Sequence, residues 1–180
     1  IATLHEGIEL RQAGIDCPIL VLGNLIDRDE LEECIHWKLM PTISNIEQAL
    51  ICNSIAKRGA KTFEVQVKLD TGMTRLGCDI NKAKELFKTI SNSEFLQIKG
   101  IYSHLALSDV QEAKNRSYFT NEQKQKFDSF LKDVPNINSI CCHLANSAGT
   151  LTSKELHYNM VRVGLAIYGY SPIKNLESKL

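Results

Sequence analysis

Lys68, Asp70, Thr71 and Arg75 stand within a single short stretch, VKLDTGMTRLG (67–77), directly after an apolar run. Phe63, Val65, Val67 and Leu69 alternate with polar residues, which is the period of a strand, and the β-branched content agrees. The end of that run is a cluster of charge and backbone freedom. Polar residues at the C-terminal end of a buried strand are where a parallel α/β protein keeps its chemistry. The layout recurs. IKGIYSHLALSD (98–109) ends in Ser103, His104, Ser108 and Asp109, INSICCHLANSAGT (137–150) in His143, Asn146 and Ser147, and NMVRVGLAIYG (159–169) carries Arg162 and Gly164. The last two of these suit the holding of a phosphate. Ser147 offers a hydroxyl at a helix start, and Gly164 lets the backbone approach an anion. The plainer alternative is that Asn146 and Ser147 only cap a helix and Gly164 only turns the chain.

Elements that would position these groups alternate along the chain. Helices are expected at about 3–14, closed by Gly14; 28–36, capped by Asp27; from Asn45, its cap, to about 58, with Ile46, Leu50 and Ile55 on one face and stopped by Gly59; 81–92; and 120–132, with a short one after Asn146. Strands are expected at 18–24, 39–44, 62–69, 97–104, 138–144 and 160–164. Strand–helix alternation at ~30 residues per unit means a parallel sheet. A doubly wound sheet and a barrel both fit that pattern. The first strand lacks the glycine-rich phosphate loop of the former. Polar residues at successive strand ends favour the latter, whose loops converge on one mouth. The fold class expected is α/β, a partial (β/α)8 barrel with about two units wanting before Ile1. A chain that starts at Ile1 inside a helix-like pattern and stops at Lys179–Leu180 just after a strand reads as an excerpt.

Composition narrows the function classes. Lys plus Arg and Asp plus Glu are both 21, so the chain has no net charge and no basic stripe for nucleic acid or an anionic membrane. No apolar run approaches the ~20 residues of a membrane span, and nothing reads as a signal peptide. The 6 cysteines show no C-x-x-C spacing, so reduced thiols are expected rather than disulfides.

KLDTGMTRLG, YSHLALSD, HLANSAGT and MVRVGLAIYG, in that order, resemble the N-terminal barrel of the alanine racemase family. The resemblance covers essentially all of residues 1–180, from the helix before the third barrel strand to the loop after the eighth. It implies a cofactor, pyridoxal 5′-phosphate (PLP), and residues to hold it. Arg162 matches the arginine that donates to the PLP ring nitrogen. A guanidinium keeps its proton, so the ring stays unprotonated and is a weaker electron sink. His104 matches the histidine packed on the cofactor ring. Ser147, Gly164 and Leu165 match the phosphate-binding positions, and His143 and Asn146 the polar surround. Arg75 matches an arginine near the substrate carboxylate and the cofactor's phenolic oxygen. The bland readings are a solvated Arg162, a core His104, an Arg75 paired with Asp70, and a His143 that only organises hydrogen bonds around Arg162. Lys68 matches a lysine that is often carbamylated in the family, where its anion would pair with Arg75; the reaction needs a neutral amine, which burial favours.

The same resemblance implies that residues 1–180 are part of one barrel domain. The first two β/α units and a C-terminal β domain are expected outside them. It also implies a cytoplasmic homodimer that interconverts L- and D-alanine by proton transfer between two bases and supplies D-alanine for peptidoglycan. Both bases are missing here. The cofactor-linking lysine belongs to a motif near AVVKANAYGHG, which does not occur, and none of Tyr102, Tyr118, Tyr158, Tyr168 and Tyr170 has the context of the partner subunit's tyrosine. The catalytic pair is therefore expected outside this chain, with Arg75 and Lys68 in support, and the chain alone is expected to be inactive. Two alternatives remain. One is a broad-specificity or serine-preferring racemase of the same family, the other a single-barrel PLP carrier without turnover.

Overall fold

The computed structural model describes residues 1–110 and 113–173. Among the described residues six α-helices and six strands follow in the order α1 (Leu4–Gln12), β1 (Leu20–Val21), α2 (Arg28–His36), β2 (Met40–Ile43), α3 (Ile46–Arg58), β3 (Phe63–Asp70), β4 (Cys78–Asp79), α4 (Ala83–Ser91), β5 (Leu96–Tyr102), α5 (Ala113–Leu131), β6 (Cys141–His143) and α6 (Ser147–Thr152). The sheet runs β1-β2-β3-β5-β6 with every pair parallel. Capping follows the sequence. Asp27 accepts from Asp29 N at 2.8 Å, and Asn45 from Gln48 N at 2.9 Å.

The two faces of the sheet differ in kind. Phe63, Val65, Val67 and Leu69 enter one apolar core with Ala49, Cys52 and Ile55 of α3 and Leu86 and Ile90 of α4. Full burial of such a side chain contributes roughly 1.5–3 kcal/mol. The intervening residues of β3 point the other way, toward what would be a barrel axis. There Thr42 is in register with Gln66, Lys68 with Tyr102, and Tyr102 with His143. Thr42 on β2 reaches Tyr102 on β5 across β3, oxygen to oxygen at 2.7 Å, so the sheet is curved about this polar face. All of these side chains are buried.

Several sequence expectations change. Helix α5 begins at Ala113 rather than at about 120, and β1 and β6 are shorter than the expected 18–24 and 138–144. Residues 160–164 form no strand: Met160 makes one parallel bridge to His143, and Leu165–Tyr168 close into a 3-10 turn. The cause lies at Asn159, whose Oδ1 takes Cys142 N at 2.8 Å, a donor that a strand ladder would have used. Leu50 is exposed, and the inner face of α3 is Gln48, Ala49, Cys52, Ile55 and Ala56. Strand β4 was not expected; it pairs with the end of β3, Leu69 with Cys78 and Asp70 with Asp79. Gly77 permits that approach, since a Cβ there would stand 2.8 Å from Asp70 N, and its φ is +131°.

The sheet does not close on itself among the described residues. At one edge Ile1 and Ala2 run beside β1, with Leu22 N bonded to Ile1 O and Gly23 N to Ala2 O, both at 3.0 Å. The other edge is Met160–Gly164. A cleft of about 1040 Å³ lies between them, lined by Ile1, Leu20, Leu22, Val161, Arg162 and Gly164. Lys179 and Leu180 lie outside the described residues. No described helix is long and apolar enough to cross a membrane, and all 6 cysteines are free thiols.

Candidate functional site

Parallel strands place their C-terminal ends on one side, and the polar groups collect there. Arg162 is the hub. Its Nη1 lies 2.7 Å from His143 Nδ1, and its Nη2 donates to Ser103 O at 2.7 Å and to Leu144 O at 3.4 Å. Its Nε–H has no acceptor among the described residues. The guanidinium carbon sits 5.0 Å from the Tyr102 ring centroid, a cation–π contact. Burial lowers its pKa to about 10, which leaves it charged at neutral pH.

Lys68 is buried, with its Nζ 5.7 Å from the Tyr102 ring centroid. Burial, then the charges of Arg75 and Arg162, bring its pKa down to about 8, against a smaller opposing effect of Asp70. The same cations act on His104. Its ring makes no hydrogen bond among the described residues, and burial, Arg162, Lys68 and Arg75 push its pKa down to about 4. Arg75 is exposed. It forms no ion pair with Asp70, whose Oδ1 instead takes Gly72 N and Thr74 N at 3.0 Å each and shapes the loop. None of Lys68, Arg75 and Arg162 is ion-paired to a carboxylate among the described residues. Three cations thus converge with their charge uncompensated, an arrangement that favours an anionic ligand.

At the neighbouring strand end Asn146 caps α6, accepting from Gly149 N at 3.0 Å and from Ser108 Oγ at 2.9 Å. Capping is thus a role Asn146 has, as its plainer reading held. Ser147 does something else. Its hydroxyl receives Gly164 N at 3.0 Å and Ala166 N at 3.3 Å, so two backbone donors from the last turn point at one oxygen. Gly164 and Leu165 are exposed beside it. A Cβ on Gly164 would touch nothing within 4 Å, so space alone does not demand glycine there.

The sequence model of the family described as "Alanine racemase, N-terminal domain" matches residues 1–172. The chain belongs to the alanine racemase N-terminal domain family. An alanine racemase of Prochlorococcus marinus is 56% identical over 179 residues, which are 99% of this chain and 46% of that protein. One of Synechocystis is 41% identical over 98% of the chain and 47% of its own length. The solved alanine racemase of Bacillus anthracis with bound L-Ala-P superposes with a TM-score of 0.84 at 31% identity, over 99% of this chain and 46% of that one. The chain therefore spans about half the length of the relatives it matches, and its open sheet is an arc of their (β/α)8 barrel.

Of the residues singled out from sequence, Lys68, His104, His143, Asn146, Ser147, Arg162 and Gly164 share this mouth. Arg75 and Leu165 stand at its exposed rim. Others were missed. Gln66 and Thr42 lie on the axis-facing side of their strands, and Tyr102 joins them; Gln66 was visible as a polar residue in phase with Lys68 inside a buried strand. Gln123, on α5, left no such signal. It donates to Thr71 Oγ1 at 3.1 Å and to His104 O at 2.9 Å and accepts from Ala106 N at 2.8 Å, fastening together the loops that carry Arg75 and His104.

Proposed function

We propose that this chain is the cofactor-holding wall of an alanine racemase that binds PLP and acts on alanine. The whole protein is then a homodimer with a C-terminal β domain, and the two proton-transfer groups lie outside residues 1–180. The observation that carries this reading is the set of three unpaired cations, Lys68, Arg75 and Arg162, around one mouth, with the unsatisfied Nε–H of Arg162 at its centre. These donors fit a molecule with a phosphate, an aromatic nitrogen and a phenolic oxygen.

Ser147, Gly164 and Leu165 would hold the phosphate, with Asn146 fixing the start of α6 behind them. Arg162 would meet the ring nitrogen. It gives that nitrogen a hydrogen bond but no proton, because it remains a cation at neutral pH. His104, kept neutral, offers a flat uncharged face, and His143 braces Arg162. Arg75 is placed to bind a carboxylate, the group every amino-acid substrate brings. The bound cofactor supplies an electron sink for the substrate's α-carbon. Asp70, through Gly72 N and Thr74 N, sets the loop from which Arg75 reaches in.

The test compares the whole protein with the 180-residue chain. Each is supplied with PLP and L-alanine, and D-alanine is measured. D-alanine is expected from the whole protein only. Failure of the PLP-loaded whole protein to racemise alanine, or turnover by the chain alone above a heat-killed control, overturns the reading.

A further inference from the structure

Arginine offers only donors. Since Arg162 Nη1 lies 2.7 Å from His143 Nδ1, that nitrogen accepts. A neutral imidazole then carries its single proton on Nε2. Nε2 lies 2.7 Å from Gln66 Oε1, which accepts it. The opposite amide orientation would set N–H against N–H, so the order of donors along Arg162, His143 and Gln66 is forced. His143 is fully buried, and burial, with Arg162 second, pushes its pKa down to about 3, so the ring stays neutral.

Two neighbours hold this arrangement. Tyr102 stacks on the imidazole with centroids 4.8 Å apart, so the ring cannot tilt toward β5. Gly100, in register with Gln66, leaves the space the amide needs. A Cβ on Gly100 would stand 2.6 Å from both Cδ and Oε1 of Gln66 and 3.0 Å from Cys141 O. A buried amide without a partner would be unfavourable, and here its oxygen is used for one purpose.

We propose that Gln66 is a positioning residue: its amide oxygen locks His143 in the Nε2–H form, and this lock holds Arg162 by its Nη atoms with Nε–H turned to the mouth. The lock itself stands on geometry alone; its effect on the reaction rests on Arg162 facing the cofactor, as proposed above. Gly100 is the residue that makes the lock possible.

Three variants of the whole protein separate a lock from mere filling of space. Gln66→Glu keeps both shape and acceptor, Gln66→Met keeps shape alone, and Gly100→Ala drives the native amide aside. Histidine ¹⁵N NMR without cofactor reads the tautomer, with His143→Asn identifying the signal. Wild type and Gln66→Glu are expected to show Nε2–H only. In Gln66→Glu the carboxylate raises the His143 pKa by at least about one unit. Without the acceptor at Nε2 the imidazole is free to turn and Arg162 to leave Nδ1, so Gln66→Met and Gly100→Ala are expected to lose the single form. In the PLP-loaded protein Gln66→Met should lower kcat roughly tenfold with KM for alanine little changed, and Gln66→Glu should recover most of it. A pure Nε2–H signal in Gln66→Met overturns the lock, as does an unmoved His143 pKa in Gln66→Glu if the Met variant does not fold. A lost tautomer with an unchanged rate leaves the lock standing and overturns instead the placement of Arg162 at the cofactor.

Discussion

Tyr102 and His143 lie ring on ring, 4.8 Å between centroids and 7° from parallel, as registered neighbours on β5 and β6. Arg162 covers one side of Tyr102 and Lys68 approaches from another. The phenol on β5 is therefore the wedge between Lys68 of β3 and the His143 of β6 that holds Arg162. Its own proton is assigned by its partners. Thr42 gives its only hydroxyl proton to Val21 O at 2.6 Å, so Tyr102 donates to Thr42 at 2.7 Å. Burial, first among its causes, raises its pKa to about 12, so it is neutral at neutral pH.

Removing that wedge in two steps should separate its roles. Tyr102→Phe loses one buried hydrogen bond and leaves Thr42 its bond to Val21, at about 1 kcal/mol. Tyr102→Ala leaves a cavity under both cations and should cost about 3–5 kcal/mol. Urea denaturation of the whole protein checks both. Equal losses in the two variants would mean that the ring's packing contributes nothing.

Ser147→Ala removes the one oxygen that receives both Gly164 N and Ala166 N. The last turn then has no anchor on α6. PLP affinity, measured by equilibrium dialysis, should fall roughly tenfold, the effect of one lost hydrogen bond of ordinary strength. Ser147→Thr keeps the hydroxyl and should bind as wild type does. An unaltered affinity in the alanine variant would remove Ser147 from the phosphate site.

Most of the strands and helices were legible, though not all of their limits, because alternation and caps are local signals. Phe63 to Leu69 announce β3, and Asp27 and Asn45 announce their helices. Polar residues of the four motifs lie at one end of the sheet, as parallel strands require. What remained hidden was carried by single long-range bonds. Nothing local says that Asn159 replaces a ladder partner of Cys142 and so ends the expected strand at one bridge. Nor can a two-residue strand such as β4 display a period. Gln123 was hidden for a different reason: glutamine has no preferred place in a motif, and its importance lies wholly in what it touches; Gln66 did leave a signal, its polar phase within a buried strand, but its partner His143 lies 77 residues away.

His143 and His104 make stability depend on pH. Their folded pKa values, about 3 and about 4, lie below the 6.5 of an unperturbed histidine. On acidification the unfolded chain binds protons first. Stability from these rings is full above pH 6.5 and is lost as pH falls toward 4 and then 3. For the fully buried His143 the slope in that window is about 1.4 kcal/mol per pH unit. Thermal unfolding of the cofactor-free protein from pH 7 to 4.5 should show it, and His143→Asn should flatten it. A variant with the slope of wild type would place the acid sensitivity elsewhere.

Lys68 works in the same sense at higher pH. Its folded pKa, about 8, is below its ordinary 10.5, so the unfolded chain holds the proton more tightly. The folded state loses stability as pH falls from 10.5 to 8, and below that the deficit is constant. Lys68→Met should then raise stability at pH 7 by roughly 2 kcal/mol. The same shift leaves a usable share of neutral amine near pH 8. A neutral amine adds carbon dioxide, forming one N–C bond and releasing one proton, and the carbamate so formed is an anion between Arg75 and Arg162. Whole protein kept in ¹³C-bicarbonate at pH 8 should show one carbamate resonance and a mass gain of one carbon dioxide, both absent from Lys68→Met. The resonance should fade on acidification as the carbamate loses its carbon dioxide. A stabilised Met variant with no carbamate signal in the wild type would mean that Lys68 stays an unpaired amine and that Arg75 waits for its anion from the substrate alone.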